Sequence, residues 1–211
     1  MTLLRHLALT VGLILFTGSV PDAWAGAPTD QLKTQIDRVL RVMETPDYKK
    51  EGKQRERRAA VRQIANEIFD FTETARRSLG RHWQSRSPTE RQEFVTLFSD
   101  LLERSYISKI ELYGGERISY QGDTIDGDVA FVRTKLTTKQ GTDIPIEYRM
   151  LRRADKWMVY DVVIEGISLI ANYRTQFNKI IQTSSYQDLV QRMKTKQDEF
   201  EATHNIEPKR T

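Results

Sequence analysis

Residues 157–177, WMVYDVVIEGISLIANYRTQF, constrain the fold more than any other part of the chain. The first half alternates as a strand, with Trp157, Val159 and Val163 on one face and Met158, Tyr160, Val162 and Ile164 on the other. Only Asp161 interrupts the apolar run, so a sheet holding this strand needs cover on both faces. After Gly166 the period lengthens, and Ile167, Ile170, Tyr173, Arg174 and Phe177 recur at helical spacing. The segment therefore predicts a sheet strand, covered on both sides, that runs straight into an apolar helix.

The remaining periodicities put helices at both ends and strands between them. Thr29 or Asp30 caps a first helix carrying Leu32, Ile36, Val39, Leu40 and Met43, which Pro46 helps to end. The polar stretch DYKKEGKQRERR reads as a linker merging into a second helix with Val61, Ile64 and Ile68 inward. FDFTETARRSLG predicts a short helix closed by Gly80. At residues 87–90, SPTE combines Ser87 as N-cap, Pro88 at the first helical position and Glu90 completing a capping box. The long helix that follows puts Phe94, Leu97, Phe98, Leu101, Leu102 and Ile110 on a broad apolar face, with Tyr106 beside it. The period then drops to two through RISYQGD, DVAFVRTKLTTK and TDIPIEYRML. Short connections make these strands antiparallel, giving a curved sheet of about four strands. On the third, Ile144, Ile146, Tyr148 and Met150 share a face opposite Glu147 and Arg149. Helices at 168–182 and from Tyr186 to near Phe200 complete an α+β fold. The expected organisation is one domain over residues 26–200 and a polar tail at 201–211.

The N-terminus reads as an export signal. Arg5 precedes the uncharged run LALTVGLILF at residues 7–16, and Ala23-Trp24-Ala25 has the A-x-A form of a cleavage site. The run is too short for a membrane span, which argues against the alternative of an uncleaved anchor. Residues 1–25 are thus expected to leave as a signal peptide.

The chain contains no cysteine and three histidines, of which His6 lies in the signal region. This composition excludes disulfides, thiolate metal sites and a cysteine nucleophile. His82 and His204 stand apart and make neither a metal cluster nor a triad. No phosphate-binding glycine loop is present, and Gly114-Gly115 reads as a turn. No cofactor is expected. The formal net charge is +4, with basic residues clustered at 53–62, 75–81 and 149–156. Export and the lack of any nucleic-acid motif argue against a nucleic-acid partner. The clusters read either as solvated helix faces or as a surface attracted to anionic headgroups or an acidic partner.

Three phrases in order carry a resemblance. The segment 157–177, the segment FDFTETARRSLGRHW at 69–83, and ERQEFVTLFSDLLERSYISKIELY in the long helix resemble the MlaC, or toluene-tolerance, family of periplasmic phospholipid-binding proteins. The resemblance implies a soluble, non-enzymatic component of an ABC-type lipid transport system in Gram-negative envelopes. It implies a phospholipid ligand, carried between an outer-membrane lipoprotein–porin complex and an inner-membrane complex with an MCE-domain ring. It also implies an NTF2-like arrangement in which helices and a twisted sheet enclose an apolar lipid cavity, with the headgroup near solvent. Relatives associated with hopanoids share the family, so phospholipid and hopanoid both stay open.

On this reading the surplus apolar surface lines the cavity. The expected lining is Phe94, Leu97, Leu101, Tyr106 and Ile110 from the long helix, with Ile146, Tyr148 and Met150 from the third strand. Trp157, Val159, Ile167, Ile170, Tyr173 and Phe177 complete it. Each is equally at home in an ordinary core, so about half are expected to touch ligand and the rest to pack behind. Asp161 is expected to satisfy a backbone group or an arginine, with Arg174 the suggested partner; a contact to the lipid headgroup is the alternative role for Arg174. Two other readings stay open: an envelope adaptor acting through its basic surface, and a small hydrolase or isomerase using Asp161, Glu165 or tyrosines. The last requires a carboxyl of strongly raised pKa in a partly polar cavity.

Overall fold

The computed structural model describes residues 28–204; the signal-peptide assignment and the end of the polar tail lie outside them. The first helix, α1 (Pro28–Glu44), is capped from a distance: the Thr29 N–H and hydroxyl both donate to Asp123 Oδ2, at 3.1 and 2.6 Å. A carboxylate at a helix N-terminus meets both the unpaired N–H groups and the helix dipole. Asp123 therefore replaces the local cap expected at Thr29 or Asp30. The stretch read as a linker contains one turn of helix, α2 (Pro46–Lys49), started by Pro46. Next come α3 (Gln54–Ile68) and α4 (Phe71–Leu79), the latter capped by Asp70, whose Oδ1 accepts the Glu73 N–H at 2.9 Å. A 3-10 turn, Gly80–His82, follows. The long helix α5 (Pro88–Glu111) opens with the complete capping box of Ser87 and Glu90.

The sheet is a fully antiparallel meander in chain order. Its strands are β1 (Arg117–Asp126), β2 (Val129–Thr137), β3 (Asp143–Arg153), β4 (Lys156–Ile164) and β5 (Ile167–Ser168). The fifth, two residues long, was not expected from the sequence. Glu165 and Gly166 both take positive φ, 51° and 80°, the requirement of a two-residue type I′ hairpin. The chain thus doubles back for one ladder step before becoming helical. Ser168 then caps α6 (Leu169–Thr183), accepting the Ala171 N–H at 3.0 Å. The last helix, α7 (Tyr186–His204), runs past the expected end near Phe200.

A bulge decides which side chains of β4 face which way. Arg149 pairs with Asp161 while Met150 pairs with Val159, leaving Tyr160 as the extra residue. One extra residue inverts the alternation. Trp157 and Val159 therefore share a face with Val162 and Ile164, and neither face expected from strict alternation survives whole. A second bulge between Tyr120 and Asp123 does the same in β1, and so brings Asp123 under α1.

Two large packed regions result, with a smaller third around Met43 and Val61. Phe94, Leu97, Phe98, Ile170, Phe177, Tyr186 and Leu189 join α4, α5, α6 and α7 in a helical core. On the other side Leu32 and Ile68 pack on Ala130, Val132, Met150, Trp157 and Val159 of the sheet. The open edge of β4 beyond the bulge is covered by Phe69 and Asp70, whose N–H donates to the Val159 carbonyl at 2.9 Å.

Candidate functional site: an apolar cavity between helices and sheet

Phe94, Phe98, Leu102, Tyr106 and Ile110 follow one another at i, i+4 along α5. At 3.6 residues per turn each such step advances about 40°, so the stripe winds around the helix. Its beginning faces the helical core, where Phe94 and Phe98 meet Phe177 edge-on at 5.7 and 5.2 Å between ring centroids. Its end, from Leu102 to Ile110, faces a cavity of about 950 Å³. Ile36, Val39, Leu40 and Met43 of α1 and Val61 and Ile64 of α3 form another wall. Ile118, Leu136, Ile144, Ile146, Tyr148, Val159, Val162 and Ile164 form the sheet floor, and Leu169 and Ile170 begin α6 beside it.

Ile110 of α5 packs against the small cluster of Met43 and Val61, and ion pairs add a second bridge between α3 and the far half of α5. Glu111 accepts from Arg57 at 2.9 Å and from Arg58 at 3.0 and 2.9 Å, and Arg62 pairs with Glu103. Burial pushes the Glu111 carboxyl upward, but the Arg58 and Arg57 guanidiniums outweigh it and hold the group below its ordinary range. Charged and polar groups reach the cavity along this seam, at Arg62, Asn66, Asp100 and Glu103, and at one end, at Lys109, Glu116 and Thr138. At that end Leu112 is 80% exposed while also lining the space. The Lys109 ammonium lies 5.2 Å from the Tyr106 ring centroid.

Of the lining expected from the sequence, Tyr106, Ile110, Ile146, Tyr148, Val159 and Ile170 border the cavity. The others do not. Phe94, Leu97 and Phe177 belong to the helical core, with Leu101 and Tyr173 packed against it. Met150 and Trp157 are enclosed between the sheet and α1. Ile167, drawn out by the unexpected β5, is 67% exposed. For the buried ones the reason is shared: alternation and helical period report that a residue is inward, not whether its neighbour is an atom or a void. The walls from α1 and α3 went unassigned, although the Leu32–Ile36–Val39–Met43 stripe was legible as an apolar face.

Asp161 also borders the cavity, at 4% exposure. Its Oδ2 accepts from the Ser168 hydroxyl at 2.6 Å and its Oδ1 from the Ile170 N–H at 3.1 Å, with an Arg149 nitrogen at 3.6 Å. The partner is thus Arg149 and the start of α6, not Arg174, whose stem lies over Gly80. Both oxygens serve to seat a helix. The Tyr148 phenol is pushed up to about 12 by burial, and burial also raises Tyr106; both stay protonated at neutral pH. The Gly114 N–H holds Glu116 below the ordinary range. Among the described residues, no group of three metal-ligating side chains converges.

The basic clusters are largely neutralised within the chain. Glu73 takes Arg76 and Arg77, Asp70 takes Arg153, and Asp128 takes Arg152. Among the described residues no helix is long and apolar enough to cross a membrane.

The fold places the chain among α+β proteins that pack helices on an antiparallel meander, here with a largely apolar pocket between the layers. Comparison makes this specific: the chain belongs to the MlaC family, whose family model matches residues 33–195. It is similar to the intermembrane phospholipid transport system binding protein MlaC of Haemophilus influenzae, 24% identical over 120 residues. That match covers 54% of this chain and 56% of the relative, so it spans little more than half of the curated protein. Among solved structures it resembles the phospholipid-binding protein from Ralstonia solanacearum in complex with a phospholipid. The TM-score is 0.71 at 26% identity, covering 81% of this chain and 96% of the other.

Proposed function

We propose that this protein is a periplasmic carrier that holds the acyl chains of a phospholipid in the cavity and shuttles the lipid between membrane complexes. The observation that carries the reading is an apolar space of about 950 Å³ between α1, α3, α5 and the sheet. If a methylene takes up roughly the 30 Å³ of a liquid water, the space suits on the order of thirty methylenes, two ordinary acyl chains. Burying that many is worth about 24 kcal/mol gross at ~0.8 kcal/mol each. This exceeds the practical ceiling for noncovalent affinity of about 21 kcal/mol, so release into water is negligible. Exchange then requires docking to a donor or acceptor that offers the chains a comparable environment. The headgroup would meet water at the end lined by Lys109 and Glu116. On this reading the partners are an outer-membrane lipoprotein–porin complex and an inner-membrane MCE-domain transporter, and membership of the MlaC family supports it.

The internal pairing of the basic clusters weakens the adaptor reading, and the fully engaged Asp161 weakens the catalytic one. Native mass spectrometry of the protein purified without detergent, followed by lipid extraction, tests the proposal. A stoichiometric phospholipid adduct is expected. An adduct of hopanoid mass would change the ligand, and an apo mass that persists after incubation with liposomes would refute the carrier reading.

A further inference from the structure

A second recess lies at the other end of α4 from the cavity. The turn Gly80–His82 and one face of α6 form it, with Arg81, His82, Arg174 and Asn178 around a space of about 380 Å³. Arg81 and Arg174 both line the recess, and no Asp or Glu does. Arg174 has no hydrogen-bond or ion-pair partner among the described residues. Its stem crosses Gly80 so closely that a Cβ there would lie 3.1 Å from the Arg174 Cδ. Gly80 also has φ +57°, so glycine serves both the turn and the close approach. Asn178 organises the other side: its Oδ1 accepts from Arg81 at 2.9 Å and contacts His82 Nε2 at 3.0 Å. Arg81 keeps its remaining N–H donors free for an acceptor.

The carbonyl end of α4 offers the site about half a negative charge, too little to balance two guanidiniums. Two forks with pre-set stems and no counter-charge match an acceptor with several terminal oxygens. We propose that this recess binds a phosphate group, held by Arg174 and by Arg81, which Asn178 positions. The group is either free phosphate or a phosphate headgroup at a membrane surface. The site is separate from the acyl cavity and stands whether or not that cavity holds lipid.

The test is titration of the full mature protein with inorganic phosphate at constant ionic strength, read from arginine Nε–H signals in NMR spectra. Saturable shifts at Arg174 and Arg81, but not at the ion-paired Arg192, are expected. Arg174→Gln and Arg81→Gln, both at exposed positions, should each weaken binding about tenfold or more with unchanged melting temperature. In parallel, co-sedimentation with phosphatidylglycerol–phosphatidylcholine vesicles separates the two sources. Loss of vesicle binding in Arg174→Gln, without an inorganic phosphate response in the parent, assigns the site to headgroups. Shifts reproduced by chloride at equal ionic strength, or no response to either probe, overturn the proposal.

Discussion

The Ser168 hydroxyl donates to Asp161 Oδ2 at 2.6 Å, and the same Ser168 oxygen accepts the Ala171 N–H at 3.0 Å. A buried carboxylate on β4 thus holds the cap of α6, and with it the wall of the cavity at Leu169 and Ile170. Asp161→Ala leaves the Ile170 N–H and the Ser168 hydroxyl unpaired and should lower stability by about 2–4 kcal/mol. Ser168→Ala should cost about 1 kcal/mol. Urea unfolding monitored by tryptophan fluorescence checks both; a wild-type midpoint for Asp161→Ala would show that the carboxylate does not secure the helix.

The α3–α5 seam makes stability depend on pH. The folded Glu111 carboxyl is held low by Arg58 and Arg57 against the effect of burial. A depressed folded pKa contributes stability above the unfolded value and loses it as pH falls through the folded one. Glu111→Gln should therefore be less stable than the parent at neutral pH, with the gap closing on acidification below about pH 4. Melting temperatures of both proteins across that range provide the comparison. A gap independent of pH would rule out the titrating pair as its source.

Cavity and core residues should separate under enlargement. Ile146→Trp projects into the open space, so lipid retention is expected to fall several-fold while the melting temperature changes little. Leu101→Trp instead presses on the helical core and should destabilise by about 1–3 kcal/mol through overpacking. Lipid content per folded protein, measured with thermal unfolding, distinguishes them. Equal effects on both readouts at the two positions would deny the separation of cavity from helical core.

Phe177 is 4% exposed and meets Phe94 and Phe98 edge-on. Phe177→Ala should cost about 3–5 kcal/mol without changing which lipid the surviving folded protein carries. Calorimetry and lipid extraction report the two quantities, and an altered lipid species with intact stability would move Phe177 from the core to the ligand.

Much of the fold was legible in the chain. The capping box at Ser87 and Glu90, the stop at Gly80, the antiparallel meander and the closing helices at Leu169 and Tyr186 all follow from local chemistry. These features depend on neighbours within a few residues, where cap, turn and period act directly. Even the apolar stripe that begins α1 was readable, though its use was not.

The sequence by itself determined the order and type of the main helices and strands and which residues are apolar; tertiary structure alone decided what those residues meet. The bulge at Tyr160 joined Val159 to Val162 and Ile164 on one face, because partner strands and not residue order set the register. The β5 hairpin carried Ile167 into solvent. The winding stripe of α5 sent Phe94 into the core and Ile110 to the cavity, and pairs such as Arg58–Glu111 tie α3 to α5. A residue against a void and a residue against a packed ring share the same chemistry and spacing. Only the distance between layers, set by contacts far apart in the chain, tells them apart.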